Sequence, residues 1–89
     1  MEIEFDTNKD ILNQATHGVS LDSFSSIDLE NSLVSEDVRR EYGETRYNCL
    51  GLIGERVYHA TFTIRNESVF RVTSLRKANK REVKRYAKQ

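Results

Sequence analysis

The sequence has no proline, no tryptophan, four glycines and one cysteine in 89 residues. A single thiol cannot close an internal disulfide, and Cys49 has no ligand partners at metal-binding spacing, so it reads as a small buried hydrophobe in an apolar stretch. No run of about 18 apolar residues occurs, which argues against a helical membrane span. The opening, Met1-Glu2-Ile3-Glu4-Phe5-Asp6, is acidic where a signal peptide is basic and then apolar. A cytoplasmic protein without membrane contact is the expectation. No Gly-x-x-x-x-Gly-Lys phosphate loop and no Asp/Glu cluster are present, which disfavours an NTPase and a two-metal nuclease; neither a metal nor any other cofactor is expected. Cys49 lacks an adjacent base, so a thiol nucleophile is unsupported. Repeats, linkers and low-complexity tracts are also missing, and residues 1–89 are read as one domain.

What remains is an ordinary folding composition, 37% hydrophobic and 31% charged. A chain this short buries only about 60–65% of its unfolded surface, so its core is small. The net charge is zero, but the charges are segregated. Residues 1–45 hold 11 acids and 3 bases, whereas residues 71–89 hold 8 bases and 1 acid. A clustered basic end attracts nucleic acid or an acidic protein, or is simply a solvated helix face; charge alone does not choose among them.

Periodicity suggests an α+β fold. Ile3 and Phe5 alternate with Glu2, Glu4 and Asp6, as in a short edge strand. Thr7 is read as the cap of a first helix whose apolar stripe is Ile11, Leu12 and Ala15 and which stops at His17-Gly18, with Val19 packing back on the last turn. Ser20 then caps a second helix, with Leu21, Phe24 and Ile27 at three-residue spacing, running to about Glu30. Residues 31–44 lose their period and read as a long connection. Three alternating segments follow, Arg46–Ile53, Arg56–Arg65 and Val69–Leu75, joined by Gly54-Glu55 and Asn66-Glu67-Ser68 as hairpin loops. Leu50, Leu52, Tyr58, Ala60, Phe62, Ile64, Phe70 and Val72 are assigned to the face under the N-terminal helices. Tyr47, Cys49, His59, Thr61, Thr63, Arg65, Arg71 and Thr73 are assigned to the other face. Asn79 and Glu82 suggest the cap of a basic C-terminal helix with Val83, Tyr86 and Ala87 as its apolar stripe.

With these elements placed, the chain resembles the BrnT family of type II toxins over nearly its whole length. The opening residues Phe5-Asp6, Lys9, Asn13 and His17-Gly18-Val19-Ser20 match that family's pattern. So do Glu44-Thr45-Arg46, Gly51, Arg56, Thr63-Ile64-Arg65, the run from Arg71 to Ala78, Glu82 and Tyr86, in order and spacing. Three positions depart from it: Thr16 stands where Lys is usual, Phe5 where Trp is common, and His59 where an aliphatic residue is general. The resemblance implies a RelE-like fold, N-terminal helices on one face of an antiparallel sheet, and a ribonuclease that arrests translation. It also implies a BrnA-like ribbon-helix-helix antitoxin as partner, which would carry the toxin to promoter DNA without the toxin reading bases.

RNA can be cut without a metal when its 2′-hydroxyl attacks the adjacent phosphorus; the enzyme then supplies a base, an acid and cations for the phosphorane. Arg65 and Arg76 are the first candidates as phosphate clamps, since each guanidinium stays charged and grips two oxygens, and both match the family motif; a structural ion pair is the alternative for each. Arg71 and Arg46 are second candidates on neighbouring strands. His17 suits proton transfer at neutral pH, or simply caps the first helix through its dipole and last carbonyls. His59 is placed on the polar face, and Tyr86 is read as packing. Lys77, Lys80, Arg81, Lys84 and Arg85 are candidates for contacts to RNA or to an acidic antitoxin. A non-enzymatic RNA- or antitoxin-binding module is the main alternative function, and a RelE-fold inhibitor of another target such as a topoisomerase a third.

Overall fold

The computed structural model describes residues 1–39, 41 and 43–89. Five strands, β1 (Glu2–Glu4), β2 (Leu33–Glu36), β3 (Tyr47–Ile53), β4 (Arg56–Arg65) and β5 (Val69–Lys77), form one sheet in the order β1-β5-β4-β3-β2. All neighbours are antiparallel except β1, which runs parallel to β5. Helix α1 spans Thr7–His17, a 3-10 helix Leu21–Ser26, and α2 Lys80–Ala87. Among the described residues no helix is long and apolar enough to cross a membrane.

The strand boundaries follow the alternation and its turns. Gly54 takes φ +63° in the two-residue β3–β4 loop, and Asn66 and Glu67 take φ 52° and 68° between β4 and β5, the left-handed conformations that tight hairpins require. One strand was not foreseen: within the expected connection of residues 31–44, Leu33–Glu36 forms β2 against β3. Positions 40 and 42 of that connection lie outside the described residues.

Three assignments of side chains are corrected. Ile11, Leu12 and Ala15 do not form a buried stripe: Ile11 is 59% and Leu12 65% exposed, and the one buried residue of α1 is Asn13. Its amide bonds the Leu75 N–H and C=O at 3.2 and 2.8 Å and the Val19 carbonyl at 2.8 Å. α1 therefore lies along the β5 edge beyond the three residues of β1, and Asn13 supplies the hydrogen bonds that a longer β1 would have made. The cap of α1 is Asp6, whose carboxylate accepts from the Lys9 N–H at 3.0 Å. Its charge complements the helix terminus, which a Thr7 hydroxyl cannot do. Gly18 closes the helix at φ +73°, as the sequence suggests.

The faces of β3 are also exchanged. Cys49 pairs with Ala60 and is fully buried with Leu21, Phe24, Ile27, Phe62, Val72 and Leu75, while Tyr47 packs beside them. Leu50 and Leu52 lie on the opposite face with Val57, Ala78, Val83 and Tyr86, under α2. β3 is apolar on both sides because the 3-10 helix covers one face and α2 the other, so its sequence carries no alternation from which to read parity. Burial pushes the Cys49 thiol up, in keeping with a packing role.

Candidate active site

A β-bulge creates the most distinctive polar cluster. Thr61 pairs with Ser74 but Phe62 pairs with Val72, leaving Thr73 as the extra residue, its hydroxyl donating to the Thr61 carbonyl at 3.2 Å. An uninterrupted strand with Val72 in the core would turn residues 74 and 76 to the core as well. The extra residue reverses the parity, so Leu75 is buried in the core and Arg76 emerges on the opposite face, directly across from His59.

α2 then closes on this pair. Asn79 caps the helix by accepting from the Glu82 N–H, and Glu82 returns the bond to the Asn79 N–H, both at 2.9 Å. The same Glu82 carboxylate takes two bonds from the Arg76 guanidinium, at 2.8 and 3.0 Å. This bidentate pair is largely shielded from water, with side-chain exposures of 32% and 10%, a setting in which charge-assisted bonds are strong. The Arg76 contact is the main reason the Glu82 carboxyl falls to about 2.

Around His59 the balance of charge is positive. Burial and the neighbouring Arg76 lower its pKa, Arg85 and Arg39 act in the same direction, and Glu82 opposes them. Its Nδ1 is buried with no hydrogen-bond partner among the described residues. Burial and the surrounding cations thus favour the neutral imidazole. Arg39 is held by Asp37 through two bonds of 2.9 and 2.8 Å. Arg39 was not singled out in the sequence, because it sits in the aperiodic stretch between β2 and β3 and nothing local marks it.

Arg65 and Arg76, the first candidates as phosphate clamps, lie too far apart to grip one phosphate together. Arg65 lies six residues from His59 along β4, about 20 Å away at the rise of a strand. It pairs loosely with Glu44 at 3.9 Å, both side chains about half exposed, whereas Arg76 is bound to Glu82. Arg71 is opposite Thr63 and bonds Glu4 at 3.2 Å; alternation puts it on the same face as Arg65, as anticipated. Arg46 precedes β3 at that same end and is half-buried. The sheet face thus carries two cationic ends: Arg46, Arg65 and Arg71 at one, and Arg76 and Arg85 around His59 at the other. His17 occupies the last turn of α1 and lines a concavity of about 270 Å³ with Lys9, Thr16, Thr73 and Ser74. Lys77, Lys80, Arg81, Lys84 and Arg85 are all exposed, on and just before α2.

A family model described as the ribonuclease toxin BrnT of type II toxin–antitoxin systems matches residues 5–82. The chain belongs to the BrnT ribonuclease toxin family. Membership names RNA as the target of the family and an antitoxin protein as the partner. Among solved structures, the 1.1 Å crystal structure of the Brucella abortus ribonuclease toxin BrnT is similar in fold, with a TM-score of 0.70 over 90% of this chain and 99% of that one, at 20% identity. Direct comparison with curated protein sequences gives no significant match. The matched region ends at Glu82 and so contains the bulge, His59, Arg76 and their carboxylate.

Proposed function

We propose that this BrnT-family protein is a metal-independent endoribonuclease that cuts RNA in the cytoplasm through attack of the 2′-hydroxyl on the adjacent phosphorus, and so inhibits translation. The observation that carries the proposal is His59 directly across from Arg76 between β4 and β5, with burial, Arg85 and Arg39 favouring its neutral form. In this reading His59 takes the 2′-hydroxyl proton. Arg76, positioned by Glu82, stabilises the added charge on the phosphorane together with Arg85 and Arg39. His17, whose concavity includes Ser74 two residues before Arg76, is the candidate acid for the leaving 5′-oxygen. Arg46, Arg65 and Arg71 hold the RNA backbone farther along the face, and Lys77, Lys80, Arg81 and Lys84 guide RNA or engage the antitoxin. A BrnA-like ribbon-helix-helix antitoxin and a RelE-like arrangement of the toxin complete the reading, with promoter DNA bound through the antitoxin.

The test is inducible expression without antitoxin, followed by RNA analysis in the presence of chelator. Cleavage should persist in chelator. It should fall about 100- to 1000-fold in Arg76→Ala and by a similar or larger factor in His59→Ala. Full cleavage by both variants would overturn the assignment, and arrest without RNA cleavage would overturn the nuclease itself.

A further inference from the structure

A second feature lies on the other side of Arg85. Leu33, the first residue of β2, and the outer side of α2 bound a groove of about 490 Å³ whose remaining walls are Arg81, Lys84, Arg85, Lys88 and Gln89. The four cations recur at the spacing of one helix face, and the Gln89 side chain donates to the Asn31 carbonyl at 2.8 Å, closing the groove's end against the chain leading into β2. Its floor is a leucine and the methylene stems of the basic residues, and its rim is uniformly positive. Among the described residues no aromatic ring lines it to stack on a nucleic acid base. Leu33 opens the last strand of the sheet, whose outer edge has no neighbouring strand among the described residues, so an extended chain lying there could also bond to backbone groups.

We propose that this groove seats an acidic, apolar-anchored segment of a protein partner, with carboxylates on Arg81, Lys84, Arg85 and Lys88 and one aliphatic side chain on Leu33. In a type II toxin that partner is the antitoxin, an identification that rests on the toxin reading above. The geometry adds a consequence: Arg85 is shared between the groove and the His59 cluster. A carboxylate that captures Arg85 takes a cation from the cleavage site and covers its flank.

The experiment uses the whole chain and three fluorescent probes of equal charge: a peptide of alternating glutamate and leucine, an all-glutamate peptide, and oligouridylate. Binding is read by anisotropy, which needs no cleavage, so a chain that fails to cut RNA can still pass. The alternating peptide should bind at least tenfold more tightly than either other probe, lose at least tenfold in Lys84→Glu/Lys88→Glu, and lose severalfold in Leu33→Ala. Circular dichroism at the binding temperature confirms that each variant is folded; should Leu33→Ala unfold, protection of the β2 amides from hydrogen exchange by the peptide replaces it. Equal binding of the all-glutamate peptide would reduce the groove to unspecific charge and overturn the proposal. So would tighter binding of oligouridylate with the same sensitivity to charge reversal, which would make the groove a nucleic-acid contact.

Discussion

Glu82 performs two tasks with one carboxylate: it completes the capping box of α2 and fixes the Arg76 guanidinium from two sides. Glu82→Gln keeps the shape and removes the charge, and should cost about 1–3 kcal/mol of stability at pH 7, read as a lower urea midpoint. The pH dependence gives an independent check. A carboxyl held at about 2 in the fold, against 4.5 ordinarily, contributes stability that is fully present above pH 4.5 and is lost as pH falls through about 2; Glu82→Gln should flatten the stability profile across that window. His59 titrates in the same sense. Its folded value lies below 6.5, so acidification below 6.5 charges the unfolded chain first and stability declines toward the lowered value. In the proposed mechanism His59 is the base, and it then stays competent below pH 6.5 until its own lowered pKa is reached. Because Glu82 raises that pKa, Glu82→Gln should move the acid limb of the pH–rate profile to lower pH, a displacement that a purely structural role would not produce.

At the scale of elements, the joints between α1, the 3-10 helix and the sheet depend on two residues with no apolar signature. Asn13 satisfies the Leu75 backbone where β1 has ended, so Asn13→Ala strands a buried N–H and C=O and should cost about 2–4 kcal/mol, seen as a fall in melting temperature. Gly51 lets the C-cap of the 3-10 helix sit against β3: a Cβ there would meet Ile27 Cγ1 at 3.0 Å and Ser32 Cβ at 3.1 Å. Gly51→Ala should therefore cost about 1–3 kcal/mol in the same measurement. Both residues belong to the pattern by which the chain resembles its family, yet their reasons emerge only from the packing. The three long strands, both hairpins, the stop at Gly18 and the capping box were legible because each depends on residues close in sequence. The three-residue spacing of Leu21, Phe24 and Ile27, read as a longer α-helix, turned out to be the period of a 3-10 helix ending at Ser26. β2 was missed because its four residues are largely exposed and carry no alternation. The facing of Arg76 could not be read either, since it depends on one extra residue in β5 that only pairing with β4 reveals. Arg65 and Arg76 sit apart because of the hairpin register: Arg65 adjoins the β4–β5 turn opposite Val69, whereas Arg76 lies toward the far end of β5 opposite His59.

Across the whole molecule, this separation makes the sheet face a bipolar cationic surface, and its two ends should respond differently to mutation. RNA bound with its reacting phosphate at His59 and Arg76 must pass some 20 Å to reach Arg65, a span of several strand residues. If the bond is cut at His59, contacts at that distant end are made equally in the bound ground state and in the transition state and contribute uniform binding. Arg65→Ala should then raise KM severalfold with kcat nearly unchanged, and because one phosphate contact is lost, the slope of log affinity against log salt should become shallower by about 0.7 for a single-stranded substrate. If Arg76 stabilises the phosphorane as proposed, Arg76→Ala removes an interaction that strengthens only as charge builds on phosphorus, and it should lower kcat with little change in KM. Steady-state kinetics on a short single-stranded RNA at several salt concentrations separates the two. A loss of kcat in Arg65→Ala as deep as that in Arg76→Ala would mean that the reacting phosphate sits between the two ends, and that the His59 cluster is not where the bond is cut.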